Sequence, residues 1–175
     1  MLTRRFLGRS LLWAATCMAG APTVPSAIAG TLTKPNDKPI LSITGRISVT
    51  NDGETARFDR AMLEALGTSS FETSTPWYNG LVRFEGVPMH RLMEEVGATG
   101  SSLVAYALND YSTEIPMEDF TRYPVMLALK RNGEYMPVRD KGPLFIVYPY
   151  DSSPELKHQK YYSRSAWQVA KMVVK

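Results

Sequence analysis

The chain has 175 residues, a length that suits one domain with its own hydrophobic core. It carries 20 basic and 17 acidic side chains, which gives a formal net charge of +3. So small an excess does not indicate nucleic acid binding, and a single cysteine excludes a disulfide-stabilised scaffold.

The first 29 residues have the layout of a bacterial export signal. Arg4, Arg5 and Arg9 form a positive start, residues 11–21 are apolar, and Ala27-Ile28-Ala29 supplies the small side chains that a signal peptidase needs. The apolar run is too short for a stable membrane anchor, and a buried helix would have to hide three arginines. We therefore predict that residues 1–29 are cleaved and that the mature protein is periplasmic.

Cleavage would change the chemistry of the chain. It removes three basic residues, so the mature chain has as many basic as acidic side chains, and the sequence pI of about 9.0 reflects targeting. It also removes Cys17, the only cysteine, so we predict no disulfide, no thiolate nucleophile and no soft metal ligand. The preceding Ala14-Ala15-Thr16 does not match a lipoprotein signal, so no lipid anchor is expected. The sequence leaves both Sec export and twin-arginine export as alternatives. Arg4-Arg5 before Phe6-Leu7 resembles a twin-arginine signal, but the usual spacer between the two pairs is missing.

The first half of the mature chain predicts one strand and two helices. Residues 30–39 are polar and contain proline, which predicts a flexible lead-in to a domain over residues 40–175. A strand is predicted over residues 40–49. The first helix, residues 59–66, has an aspartate cap and a glycine stop, and the second, residues 88–96, begins at a proline and carries one apolar face.

The second half predicts strands. Asn132-Gly133 between two apolar runs predicts a β-hairpin over residues 125–138. Other strands are predicted over residues 103–108, over residues 144–148 as a buried central strand, and over residues 167–174 as the closing strand. Two helices and many strands without regular alternation predict a single α+β domain with a mixed or mainly antiparallel sheet.

Several common kinds of active site find no support in the sequence. His90 and His158 lack neighbours at metal-ligand spacing, and isolated histidines are more often surface or structural residues. There is no Gly-x-Ser-x-Gly nucleophile motif and no Walker or Rossmann glycine pattern.

Polar and aromatic residues instead collect where predicted strands end, and loops at strand ends commonly carry binding groups. The residues that we single out as candidates for a binding site are Thr75, Trp77, Asp110, Tyr111, Asp140, Tyr150 and Arg164. An equally weighted alternative is that the aspartates form turns and that the aromatic residues belong to the core.

Four segments carry a resemblance to a known family. They are Phe84-Glu85-Gly86-Val87-Pro88-Met89 with the helix that follows it, residues 109–116, residues 139–144, and residues 162–168. In this order and spacing the chain resembles, from about residue 40 to residue 174, the molybdopterin-binding domain of the sulfite oxidase family, and most of all its small bacterial members. The resemblance implies that family's fold, and it implies that Asp110 and Asp140 border the cofactor cleft and that Arg164 matches a residue that contacts the cofactor phosphate.

The chain departs from the family at two positions. The cysteine that supplies a thiolate to molybdenum in the enzymes would fall near Ser74 or Thr75, and a hydroxyl cannot replace a thiolate in that task. A second phosphate-binding arginine of the enzymes is replaced by Phe145. The sequence is therefore similar to the cysteine-less, periplasmic pterin-binding regulators of the PruR type.

That similarity implies a pterin without molybdenum as the ligand. A carboxylate, Asp110 or Asp140, would bind the N–H edge of the pterin ring, and Trp77 or a tyrosine would stack on its face. It also implies a sensory role without catalysis, exerted on the periplasmic domain of an inner-membrane enzyme of cyclic di-GMP metabolism. The alternatives are a molybdopterin-dependent oxidoreductase that works without the cysteine ligand, and a purely structural partner of a membrane complex.

Overall fold

A computed structural model of the protein describes residues 32–175, which form two β-sheets and four short helices. The strands are β1 (Leu41–Gly45), β2 (Ala56–Phe58), β3 (Ser69–Thr75), β4 (Tyr78–Pro88), β5 (Ser102–Ala107), β6 (Ser112–Pro116), β7 (Met126–Arg131), β8 (Glu134–Tyr135), β9 (Phe145–Val147), β10 (Ala166–Trp167) and β11 (Val169–Val174). The helices are α1 (Arg60–Ala65), α2 (Met89–Glu95), α3 (Glu118–Arg122) and α4 (Gln159–Arg164). The predicted α+β class is confirmed, and the predicted export signal lies outside the described residues.

The two sheets differ in strand direction. Sheet 1 has the order β2-β1-β11-β5-β6, and its β1–β11 pair is parallel whereas its other pairs are antiparallel. Sheet 2 has the order β10-β9-β7-β4-β3, with β8 beside β7, and all of its pairs are antiparallel. Sheet 1 is therefore the mixed sheet that the sequence predicts.

Local sequence signals predict both early helices and the hairpin correctly. Asp59 caps α1, and Gly67 and Gly97 follow α1 and α2 with positive φ angles of 89° and 58°. Asn132 and Gly133 have φ angles of 50° and 85°, as the tight β7–β8 turn requires.

Two predicted strands are shorter or more broken than expected. The strand predicted over residues 40–49 ends at Gly45, where φ is 95° and the backbone approaches Val174 too closely for any side chain. The closing strand predicted over residues 167–174 is interrupted at Gln168, which has a φ of 55°, so β10 and β11 belong to different sheets. The sequence predicts two helices, whereas the described residues contain four α-helices.

Buried apolar side chains from the sheets and helices form one core cluster. The largest fully buried side chains include Phe58, Phe84, Phe145, Tyr148 and Tyr150. Within residues 32–175 no helix has the length and apolar character needed to cross a membrane.

Asp59 links the start of the domain to α1. Its carboxylate, 1% exposed, accepts hydrogen bonds from the backbone N–H of Met62 at 2.9 Å, of Asn36 at 2.8 Å and of Asp37 at 3.0 Å. The described part of the predicted lead-in, residues 32–39, thus contains no helix or strand, but hydrogen bonds to Asp59 attach it to the domain. The amides of Met62 and Asp37 are the largest cause of a lowered pKa for Asp59.

We expect Asp59→Ala to lower the free energy of unfolding by about 2 kcal/mol at pH 7, because one helix cap is lost and two further amides lose their acceptor. Since the folded-state pKa is depressed, the contribution is complete above the unfolded value of 3.8 and is lost as the pH falls through the folded value. Urea unfolding of both proteins at several pH values is the measurement. A difference that stayed constant down to pH 2 would contradict the charge-assisted capping.

Candidate functional site

A cleft of about 270 Å³ opens where the β3–β4 hairpin meets α4 and the segment that follows it. The hairpin turn consists of Pro76 and Trp77, because Thr75 pairs with Tyr78 across it. The side chain of Trp77 reaches from this tip onto Phe145 at 5.5 Å between ring centroids, in an edge-on arrangement. The volume is close to the lower end of the range for small-molecule sites, about 300–1,000 Å³.

Four of the eight residues that line the cleft are aromatic: Trp77, Tyr111, Tyr162 and Trp167. Trp77 contacts Trp167 at 5.5 Å and Tyr162 at 6.2 Å, both edge-on. The rings of Tyr111 and Trp167 are nearly parallel, with 7° between their planes and 6.5 Å between their centroids. Walls of this kind suit a flat aromatic ligand, because aromatic rings attract one another in stacked and edge-on arrangements.

The polar part of the wall is neutral. It consists of Gln159, Ser163 and Ser165, and among residues 32–175 no side chain that lines the cleft carries a charge. The hydroxyl groups of Tyr111 and Thr113 both donate to the backbone carbonyl of Ser163, at 3.0 and 2.8 Å. These two bonds hold the end of α4 beside β6 and so fix the two sides of the cleft relative to each other.

A larger groove of about 620 Å³ lies elsewhere on the domain. Lys38, Arg57 and Arg60 contribute to its lining together with aliphatic side chains such as Leu108 and Val138. No aromatic ring belongs to that lining among the described residues, so the smaller cleft is the better candidate for a heterocycle.

The structure brings two of the seven predicted site residues, Trp77 and Tyr111, together in the cleft wall. Two others support the wall from behind. Thr75 accepts a hydrogen bond from the backbone N–H of Trp77 at 3.3 Å and thereby shapes the hairpin turn. Tyr150 is 1% exposed, its ring contacts Trp77 at 6.1 Å, and its hydroxyl forms a hydrogen bond with Ser165. Burial raises the pKa of Tyr150, which therefore remains a neutral hydroxyl.

The three charged candidates lie away from the lining. Asp140 forms an ion pair with Arg131 at 2.7 Å and accepts a hydrogen bond from the Tyr78 hydroxyl at 3.3 Å. Asp110 is exposed, with a φ of 65° in the turn before β6. Arg164 directs its guanidinium to Asp119 at 2.7 Å. Direct contact between these side chains and a ligand stays a prediction, and for Asp140 and Arg164 such contact requires the side chain to leave its present partner.

The family model of the oxidoreductase molybdopterin binding domain matches residues 48–152 of the sequence. The chain belongs to this family. Membership confirms the resemblance to the molybdopterin-binding domain of the sulfite oxidase family, and it indicates a pterin-type cofactor. No curated protein matches the sequence.

In this molybdopterin-binding domain, Ser74 and Phe145, two positions at which the resemblance implies a metal contact and a phosphate contact, make other contacts. Ser74 donates from its hydroxyl to Asp151 at 2.8 Å, and Asp151 in turn forms an ion pair with Lys157 at 2.6 Å. Phe145, at the second phosphate-binding position, is fully buried beneath Trp77. At these two positions the residues present offer neither a thiolate for a metal nor a cation for a phosphate. Within the described part of the chain, no cluster of three or more histidines, cysteines or carboxylates has the geometry of a metal site.

Asp151 ties the β3 strand to the turn after β9. Lys157 and the amide and hydroxyl of Ser74 lower the pKa of Asp151 to about 2. We expect Asp151→Asn to lower the free energy of unfolding at pH 7 by about 1 kcal/mol, since the ion pair is partly exposed to solvent. The difference should begin to shrink as the pH falls below the unfolded value of 3.8 towards 2, because the folded-state pKa is depressed. Chemical unfolding of the two proteins between pH 7 and pH 2.5 measures it, and Asp52→Asn, in the exposed pair with Arg57, is the matched control.

Besides Pro76 of the hairpin turn, five lining residues were not among the predicted site residues: Gln159, Tyr162, Ser163, Ser165 and Trp167. All five lie beyond residue 152, where the family match ends. The segment of residues 162–168 carries part of the family resemblance, and its aromatic and hydroxyl side chains, such as Tyr162, Ser163 and Trp167, are the available signal. Only the fold shows that this segment lies opposite the β3–β4 hairpin.

Proposed function

We propose that the protein binds a free, unphosphorylated pterin without molybdenum and acts as a ligand sensor rather than as an enzyme. The observation that carries this proposal is the cleft itself, with four aromatic rings and a neutral polar wall. A pterin is a flat, uncharged heterocycle whose faces can stack on aromatic rings and whose edges carry hydrogen-bond donors and acceptors. The family supplies the pterin class of ligand.

In this proposal Trp77, Tyr111 and Trp167 contact the faces of the ring system. The carboxamide of Gln159 offers both a donor and an acceptor to the ring edge, which is the complement of a neighbouring C=O and N–H. Gln159 thus takes the place that the sequence predicts for Asp110 or Asp140, since neither aspartate lines the cleft and Asp140 is paired with Arg131.

The proposal extends to location and partner. A protein exported by cleavage of residues 1–29 would meet its ligand in the periplasm, and the output would be contact with the periplasmic domain of an inner-membrane enzyme that makes or degrades cyclic di-GMP. The signal-like layout of residues 1–29 and the similarity to PruR-type regulators support this part.

We expect the mature N-terminus to be Gly30, and N-terminal sequencing that found an intact Met1 would contradict export.

Small molecules released from periplasmically expressed protein test the proposal. We expect mass spectrometry to find a pterin, and metal analysis of the same sample to find no stoichiometric molybdenum. Molybdenum together with a pterin would instead support an oxidoreductase without a cysteine ligand, the alternative that the family favours. If neither a pterin nor molybdenum is found and the protein does not bind added pterin, a purely structural role remains.

A further inference from the structure

Arg164 stands in sequence between Ser163 and Ser165, two residues that line the cleft. Its Nη1 lies 2.7 Å from Oδ2 of Asp119, and the side chains of Arg164 and Asp119 are 17% and 9% exposed. The same Oδ2 accepts a hydrogen bond from the hydroxyl of Tyr148 at 2.7 Å. Asp119 therefore holds the guanidinium in a largely buried network that lies apart from the lining of the cleft.

A second cation near the cleft is also engaged. The ammonium group of Lys141 lies 5.0 Å from the ring centroid of Tyr78 and 5.3 Å from that of Trp167. Both distances are within the range of cation–π attraction. Neither Lys141 nor Arg164 belongs to the lining of the cleft.

We propose that Asp119 determines the ligand specificity of the cleft by sequestering Arg164, so that the site accepts unphosphorylated heterocycles and rejects their phosphorylated forms. This inference rests on the proposed function and adds to it a specificity-determining residue outside the cleft. A phosphate group in the cleft would lose water and find no cation among the residues that line it, which is costly. Arginine is the side chain best suited to offer two parallel hydrogen bonds to a phosphate, but Asp119 occupies it.

The proposal predicts a gain of binding. In Asp119→Asn the charge of the carboxylate is gone, while the amide oxygen still accepts from Tyr148. Arg164 then has no anionic partner in this network, and its long side chain can adopt other staggered rotamers, including those directed to the cleft. The affinity for phosphorylated ligands should rise, whereas the affinity for unphosphorylated ligands should not change.

The experiment compares neopterin with neopterin monophosphate by fluorescence titration. We expect wild-type protein to bind the phosphorylated compound at least tenfold more weakly. Asp119→Asn should reduce the ratio of the two dissociation constants, phosphorylated over unphosphorylated, at least tenfold. The double variant Asp119→Asn/Arg164→Gln should restore the wild-type ratio. Glu155→Gln is the matched control, because it removes a carboxylate from an exposed ion pair with Arg122, which lies on α3 like Asp119. This variant should leave the ratio unchanged.

The outcomes separate this inference from the proposed function. Failure of wild-type protein to bind either compound overturns the pterin proposal itself. Equal binding of both compounds overturns the specificity proposal alone, and so does an Asp119→Asn variant that keeps the wild-type ratio. Arg164→Gln gives an independent check: a selective loss of affinity for the phosphorylated compound would show that Arg164 already reaches the ligand and that Asp119 does not sequester it.

Discussion

Replacement of Trp77 by alanine is expected to weaken pterin binding by about one to two decades and to destabilise the domain. Stacking of a base on an aromatic side chain contributes about 1–3 kcal/mol, which corresponds to this loss of affinity. Trp77 also contacts four other aromatic rings, those of Phe145, Tyr150, Tyr162 and Trp167. Because the side chain is only partly buried, we expect a loss of about 3 kcal/mol in the free energy of unfolding.

Two further variants distinguish an effect on ligand affinity from an effect on the stability of the fold. Trp77→Phe retains a ring at the hairpin tip and should recover part of both losses. Leu81→Ala, in the same hairpin at a position that is 67% exposed, should change neither affinity nor stability. Affinity by fluorescence titration and stability by urea unfolding are measured on the same samples. Unchanged affinity in a folded Trp77→Ala variant would remove Trp77 from the binding site and leave it a packing residue.

Replacement of Arg164 by alanine is expected to lower the free energy of unfolding by about 3 kcal/mol. The reason is that Asp119 keeps its negative charge in a largely buried position without its cation, and removal of one partner of a buried pair is much more costly than removal of both. The double variant Asp119→Asn/Arg164→Ala should therefore be more stable than Arg164→Ala alone.

An exposed ion pair on the same helix provides the control. Arg122 contacts Glu155 at 3.0 Å, with about half of each side chain exposed, so Arg122→Ala should cost less than about 1 kcal/mol. Thermal and urea unfolding measure the three variants against wild type. Equal losses for Arg164→Ala and Arg122→Ala would mean that the buried pair contributes no more than a surface pair.

The parts of the fold that the sequence predicts well are those with local causes. Asp59 and Gly67 mark the two ends of α1 through capping and a positive φ, and Asn132-Gly133 marks a hairpin through its turn conformation. The edge strand β3 escaped prediction because its residues, Ser-Ser-Phe-Glu-Thr-Ser-Thr, have little apolar alternation, and only pairing with β4 makes them a strand.

The same contrast applies to the candidate site. Trp77 and Tyr111 could be chosen from their chemistry and their position beside strand ends, and both line the cleft. The environments of Asp140 and Arg164 could not be predicted, because their partners, Arg131 and Asp119, lie on other elements of the fold. Whether a charged side chain is free for a ligand depends on such tertiary partners, which leave no local pattern in the sequence.

The order of strands in sheet 1 has a consequence for how the chain acquires its structure. β11, the last strand, lies between β1 and β5, with Ser42 opposite Lys171 in the parallel pair. Synthesis delivers β1 long before its partner, so β1 and β2 must wait for almost the whole chain before they can join the sheet. Pairing over such a separation slows folding and leaves strand edges exposed in the meantime. A nascent or C-terminally truncated chain without β11 would divide sheet 1 into two hairpin-sized fragments, β1–β2 and β5–β6, each with an unpaired edge.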